Sequence, residues 1–214
     1  MIDCEAVLDR IKKKIDRRME LNIPESDQYE SCFSDEDGNY IKDYTNLREG
    51  YGWTRSFLTG AAAYMYFHYR EEKYLDYLRR QLPVYDRYQY SVQDHYFHDT
   101  GFLFTLFSGA LYEIAGDEAA YRMNIKAADD TLKGYVPEVG VVDGFSGGKE
   151  ETTNPIIDDM MNISLLMWAW GKTSHYYYHR IFTNHIRNVK KYMLRDDFTF
   201  RHLSLIHISE PTRP

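Results

Sequence analysis

The chain has 214 residues, enough for a sizeable domain with its own core, and its composition of 43% hydrophobic and 28% charged residues is globular rather than disordered. A net charge of −7 argues against nucleic acid as a partner, because phosphate backbones are held by clustered Lys and Arg. Cys4 and Cys32 are too few for a disulfide scaffold or a cysteine zinc site, the N-terminal residues carry no apolar signal core, and no uncharged run reaches transmembrane length, so a soluble cytoplasmic protein is expected.

Residues 3–20 read as an amphipathic helix, with Val7, Ile11, Ile15 and Met19 four apart and Asp3 as its N-cap. From residue 22 to 52 no period holds, and Pro24, Gly38, Gly50 and Gly52 punctuate a long polar loop. Residues 53–69 form an apolar helix with small residues in its middle. Residues 71–88 form a charged amphipathic one, which Pro83 is expected to kink or restart. Residues 98–115 are again apolar, closed by Gly116. Asp117 then opens an amphipathic helix over 117–133. A turn-rich loop leads to a third apolar helix, 158–170, which Gly171 is expected to end. An amphipathic helix follows over 174–194.

Apolar helices thus alternate with amphipathic ones. Helices that are apolar on most sides are buried on most sides, and amphipathic ones keep one side wet. An inner ring of helices inside an outer ring meets both demands. The expected fold class is all-α, part of an α/α toroid, with little or no sheet. The hydropathy pattern repeats every 45–60 residues without sequence identity. In such a ring the heads of the inner helices converge, which would bring Trp53, His98-Asp99 and Asp158-Asp159 to a single pocket.

The sharpest chemistry stands at residues 155–170, P-I-I-D-D-M-M-N-I-S-L-L-M-W-A-W, where two carboxylates precede an uncharged helix. Asp99 stands similarly before Thr100-Gly101-Phe102. Taken singly, each Asp reads as an N-cap, for which Asp is a preferred type. Taken together at one cavity, two carboxylates repel, and one of them holds its proton near neutral pH, which is an acid/base arrangement. His98 either polarises Asp99 or bonds a backbone carbonyl, and Trp53 either stacks on a sugar ring or packs. His175 and His179 have the i, i+4 spacing of a metal pair but no acidic or thiol companion on that face, so a solvated face is the better reading. The run G-F-S-G-G-K at 144–149 fails the phosphate-loop pattern at Glu150.

H-D-T-G-F at 98–102 and I-I-D-D-M-M-N at 156–162 resemble motifs of the unsaturated glucuronyl hydrolases, glycoside hydrolase family 88. Trp53-Thr54 with Thr59-Gly60 resembles that family's first aromatic motif, and Asp196-Asp197 with residues 199–202 its downstream D-x-S-x-x-H segment. The order is kept over residues 50–202. The resemblance implies an (α/α)6 barrel and hydrolysis of oligosaccharides that end in a 4,5-unsaturated uronic acid, without cofactor or metal. Carried over, Asp158 is the general acid/base and Asp99 the second carboxylate that tunes it. Trp53, His98, Phe145 and His202 would contact substrate, Phe145 at the loop position of a second cleft Trp. Asp159 either perturbs Asp158 or faces away on the helix.

The resemblance further implies that residues 1–202 are an N-terminal part of the ring, about seven helices of the twelve that six α/α pairs need. Such a part is expected to leave inner helices exposed and to show no turnover alone. Residues 203–214 read as a non-native, adapter-derived tail and are set outside the fold. The sibling reading is an unsaturated rhamnogalacturonyl hydrolase. The reading from another class is a non-catalytic toroid that binds sugar or protein, with both Asp residues as caps. Oligomeric state is left open.

Overall fold

The computed structural model describes residues 3–22, 29–43, 52–91, 98–144, 152–202 and 206–207. Among them the chain forms seven helical stretches, close to the boundaries that the hydropathy pattern predicts. It divides into two compact units. The first joins Met1–Ser91 to Leu106–Tyr121, and the second joins Val92–Thr105 to Arg122–Pro214.

In the first unit α1 spans Cys4–Leu21, and its Asp3 cap accepts the Ala6 N–H at 3.1 Å. Residues 29–43, read from the sequence as loop, hold a hairpin: β1 (Tyr29–Ser34) pairs antiparallel with β2 (Tyr40–Asp43) around Gly38, whose φ of 79° only glycine adopts cheaply. A 3-10 turn at Gly52–Thr54 leads into α2 (Arg55–Tyr69), and α3 (Glu72–Ser91) packs along it. α3 runs through Pro83 rather than restarting there. The α2/α3 seam is polar as well as apolar. Arg55 donates to Gln81 Oε1 at 2.9 Å, and Ser56 and Tyr85 hydroxyls share a 2.6 Å bond. Fully buried Tyr85 stacks on Phe107 with ring centroids 4.0 Å apart. One side of α2 stays open: Phe57, Tyr64 and Phe67 are 49%, 73% and 62% exposed. Three large aromatic side chains exposed along one helix are an aggregation hazard.

Residues 100–115 form one helical run: α4 (Thr100–Phe104), a π turn (Thr105–Gly109) and α5 (Ala110–Ala115). Gly116 closes it with φ of 64°, its N–H bonding Tyr112 O at 2.8 Å. Asp117 Oδ1 then accepts the Ala119 and Ala120 N–H groups at 3.0 Å each and opens α6 (Glu118–Leu132).

In the second unit β3 (Tyr135–Val136) and β4 (Val141–Val142) form a small hairpin. β5 (Thr152–Thr153) pairs with β6 (Ile206–His207), so this part of the tail that was set outside the fold is drawn against it. α7 (Asp159–Asn162) leads into α8 (Ser164–Thr173), and α9 (Tyr176–Met193) packs back on α8. Gly171 does not end α8. The helix runs two residues further and stops at Ser174, whose left-handed φ of 59° lets its N–H reach Trp170 O. A glycine lowers helix propensity but leaves the hydrogen-bond ladder intact, so it does not by itself stop a helix.

α9 also fastens the β3/β4 hairpin. Asn184 donates to Tyr135 Oη at 3.0 Å, Asn188 to Gly140 O at 3.1 Å, and the Val142 N–H to His185 Nδ1 at 2.9 Å. That last bond requires neutral His185 with its proton on Nε2. Burial depresses its pKa to about 4. Below pH ~6.5 the unfolded chain binds a proton that the folded chain refuses, so this group's contribution is present above pH 6.5 and is lost as pH falls toward 4. The loss is expected to reach roughly 3 kcal/mol. His185→Gln, which keeps an acceptor for Val142, should flatten that acid limb. Urea midpoints of the two proteins at pH 7 and pH 5 check it.

Candidate active site

The site is built in the second unit from the two acidic helix heads. Two buried carboxylates hold the segment that leads to Asp158. Asp143 Oδ1 accepts the Asn154 N–H at 2.8 Å, and Asp159 Oδ2 accepts the Ile156 N–H at 3.0 Å. Between these bonds the strand-like residues Thr153–Ile156 lie buried, and the Gly144 N–H donates to Asn154 O at 2.9 Å. The chain then turns into α7 through bonds from Asp159 N to Ile156 O, Met160 N to Ile157 O and Met161 N to Asp158 O. Asp158 occupies the apex of that turn.

Asp99 heads α4. Two devices bring α4 and α7 together. Gly101 lies so close to α7 that an added Cβ would sit 2.2 Å from both Cα and O of Asn162. Beside it, the Phe102 N–H donates to Asn162 Oδ1 at 2.9 Å, and Asn162 Nδ2 reaches back to Asp158 O at 3.4 Å. Asn162 is thus the clamp that fixes one acidic head against the other. It stood inside the I-I-D-D-M-M-N motif without an assigned role. The signal for it was an Asn four residues after the catalytic candidate, which puts both on one side of a helical turn.

The two Asp residues occupy N-cap positions, but neither side chain makes a capping bond. The ordinary reason for an Asp at a helix head is therefore absent at both. One oxygen from each carboxylate and one nitrogen of His98 lie within 4.8 Å of one another. His98 Nε2 is 3.2 Å from Asp99 Oδ1, and Asp158 Oδ1 is buried without a hydrogen-bond partner. Burial raises the Asp99 pKa above the usual carboxylate range. His98 opposes this, the Asp158 charge adds to it, and a hydrogen bond from Asn162 opposes it. Asp99 therefore keeps its proton to higher pH than a free carboxylate does. Among the described residues this makes three donors, one fewer than a closed zinc site takes and as many as an open catalytic one.

The other residues singled out in the sequence fall differently. His202 is exposed, but its carbonyl accepts the Ile157 N–H at 3.0 Å, which places its main chain one residue from Asp158. Asp197, in the same segment, folds it by accepting both the N–H and the hydroxyl of Thr199. Trp53 is half-buried in the first unit, its ring edge-on to Phe57 at 5.8 Å. Phe145 lies outside the described residues.

No family model matches the chain. It is similar to the unsaturated chondroitin disaccharide hydrolase of Streptococcus pneumoniae, with 32% identity over 153 residues, 70% of this chain and 38% of that protein. It is also similar to the unsaturated glucuronyl hydrolase of a Bacillus species, with 27% identity over 172 residues, 76% of this chain and 45% of that protein. Among solved structures, that of the unsaturated glucuronyl hydrolase from Streptococcus agalactiae superposes with a TM-score of 0.78 at 25% identity, over 91% of this chain and 48% of that one. The chain therefore spans less than half the length of these relatives, and its helices take the all-α fold of part of an α/α barrel. No helix among the described residues is long and apolar enough to cross a membrane. Over the stretch it shares with them, the chain is a homologue of the unsaturated glucuronyl hydrolases.

Proposed function

We propose that this chain carries the acid/base half of a hydrolase that removes a terminal 4,5-unsaturated uronic acid from oligosaccharides released by polysaccharide lyases. The observation that supports this most is the pairing of Asp99 and Asp158. Two carboxylates stand at helix heads, cap nothing, and meet within 4.8 Å beside His98. An inverting glycosidase keeps its two carboxyl groups about 6.5–9.5 Å apart to admit water between them and the anomeric carbon. The closer spacing here argues against that inverting geometry, while a retaining pair, at about 5–5.5 Å, is told apart by where solvent atoms enter the product rather than by distance.

In this reading the pair's proton passes from Asp158 to C4 of the vinyl ether, and positive charge develops at C5 and the ring oxygen. Asp158, now a carboxylate, takes a proton from the water that adds at C5. The resulting C5 hemiketal opens to a ketone, and the freed C1 hemiacetal expels the remaining sugar, which leaves with its glycosidic oxygen. Water is consumed and nothing is oxidised. Asp99, held by His98, keeps the proton on the pair. Trp53, Phe145 and His202 are assigned to substrate contact, and the reaction is placed in the cytoplasm.

The test is loss of the ultraviolet absorbance of the unsaturated bond during incubation with lyase-generated disaccharides. It is run on the chain itself and on residues 1–202 joined to the C-terminal half of the Streptococcus agalactiae enzyme. Turnover is expected from the joined protein and none from the chain alone. A folded but inert joined protein would count against the assignment.

A further inference from the structure

We propose that Asp159 is a positioning residue for Asp158: a neutral carboxylic acid, buried beneath the site, that closes the 156–159 turn on which Asp158 is carried. The turn is locked by a reciprocal pair of bonds, Asp159 N to Ile156 O at 3.1 Å and Ile156 N to Asp159 Oδ2 at 3.0 Å. This is the logic of a capping box, with side chain and main chain of one residue serving the main chain of another three positions away. Asp158 has no comparable bond of its own side chain, so its aim depends on this lock.

Asp159 is 0% exposed, and its Oδ1 has no hydrogen-bond partner. An ionised carboxylate with one N–H bond and one bare oxygen would be costly there, and such groups neutralise instead. The groups that act on it point the same way. Asp158 beside it, Asp143 beyond β4 and Asp99 at the head of α4 are all carboxylates, and among the described residues the His98 imidazole lies against Asp99 rather than against Asp159. Burial above all, with these charges added and the Ile156 bond opposing, lifts the Asp159 pKa to about 8. The Ile156 N–H occupies Oδ2, so the proton belongs on Oδ1. A neutral Asp159 also leaves the Asp99/Asp158 pair one negative charge fewer to work against. This role in aiming Asp158 rests on the proposed function. The neutral state of Asp159 does not.

The experiment uses the chain itself, labelled with 13C at the aspartate carboxyls. Asp159→Asn assigns the resonance by its disappearance. The expected result is an Asp159 signal that stays protonated at pH 6 and titrates near 8. Amide exchange at Ile156 should be unchanged in Asp159→Asn and about tenfold faster in Asp159→Ala, which has no acceptor. Protonation in the folded state also means that the wild type loses melting temperature between pH 6 and 9 relative to Asp159→Asn. A signal already ionised at pH 6, or Ile156 exchange as fast in Asp159→Asn as in Asp159→Ala, would overturn the proposal. None of these readouts involves substrate, so an inert joined protein would leave the neutral turn lock standing and remove only the assigned reaction.

Discussion

Asp158→Asn in the joined protein is expected to lower kcat by about 10²–10⁴-fold, the usual worth of a positioned general acid/base, with little change in KM. Its stability is expected to hold. The Asp158 side chain caps no helix and bonds no main-chain group, and Asn removes one of the clustered negative charges. A urea midpoint equal to or above that of the wild type, together with the loss of turnover, separates a chemical role from a structural one. If Asp158 were merely a cap, the pattern would reverse: activity kept, with about 1 kcal/mol of stability lost.

Gly101→Ala is expected to be the most disruptive small substitution in the second unit. The new methyl would lie 2.2 Å from Cα and O of Asn162 and 2.6 Å from its carbonyl carbon. These are main-chain atoms, which cannot swing aside. α4 and α7 must separate, and the Phe102–Asn162 bond goes with them. Overpacking and a lost buried bond together are expected to cost roughly 3 kcal/mol or more. Gly171→Ala is the matching control. It lies inside α8 with nothing within 4 Å of the added atom, and is expected to gain about 0.5–1 kcal/mol from helix propensity alone. Urea denaturation of both variants measures the contrast. Because Gly101 separates the Asp99 head from the Asp158 head by one backbone contact, its substitution should also remove turnover in the joined protein.

Much of this was legible in the residues, and for identifiable reasons. The caps at Asp3 and Asp117 and the Gly116 stop depend on local chemistry, and each forms the bond its residue type offers. The helices were legible because a 3.6-residue period survives any tertiary context that buries one face. The β1/β2 hairpin was not, because Y-E-S-C-F-S and Y-I-K-D alternate too briefly to outweigh the polar residues around them. The end of α8 was misplaced because glycine permits a stop without imposing one, whereas the left-handed Ser174 does impose it.

At the site, the sequence could pair Asp99 with Asp158 but could not decide between cap and chemistry. That choice turns on whether a side-chain oxygen reaches an N–H two or three residues on, which is geometry rather than pattern. Asp159 shows the same limit. Its neighbour Asp158 differs from it by 100° around a helix, and that rotation sends one carboxyl toward the site and the other into the core.

The most direct measurement of the central claim is the fate of solvent atoms in the product. With the joined protein acting on an unsaturated disaccharide in deuterium oxide enriched in 18O, proton transfer to C4 and water addition at C5 predict one deuterium at C4 and 18O in the C5 ketone, with both incorporations lost in Asp158→Asn. 18O at C1 with the C5 oxygen unlabelled would mean displacement at the anomeric carbon, and would contradict the account.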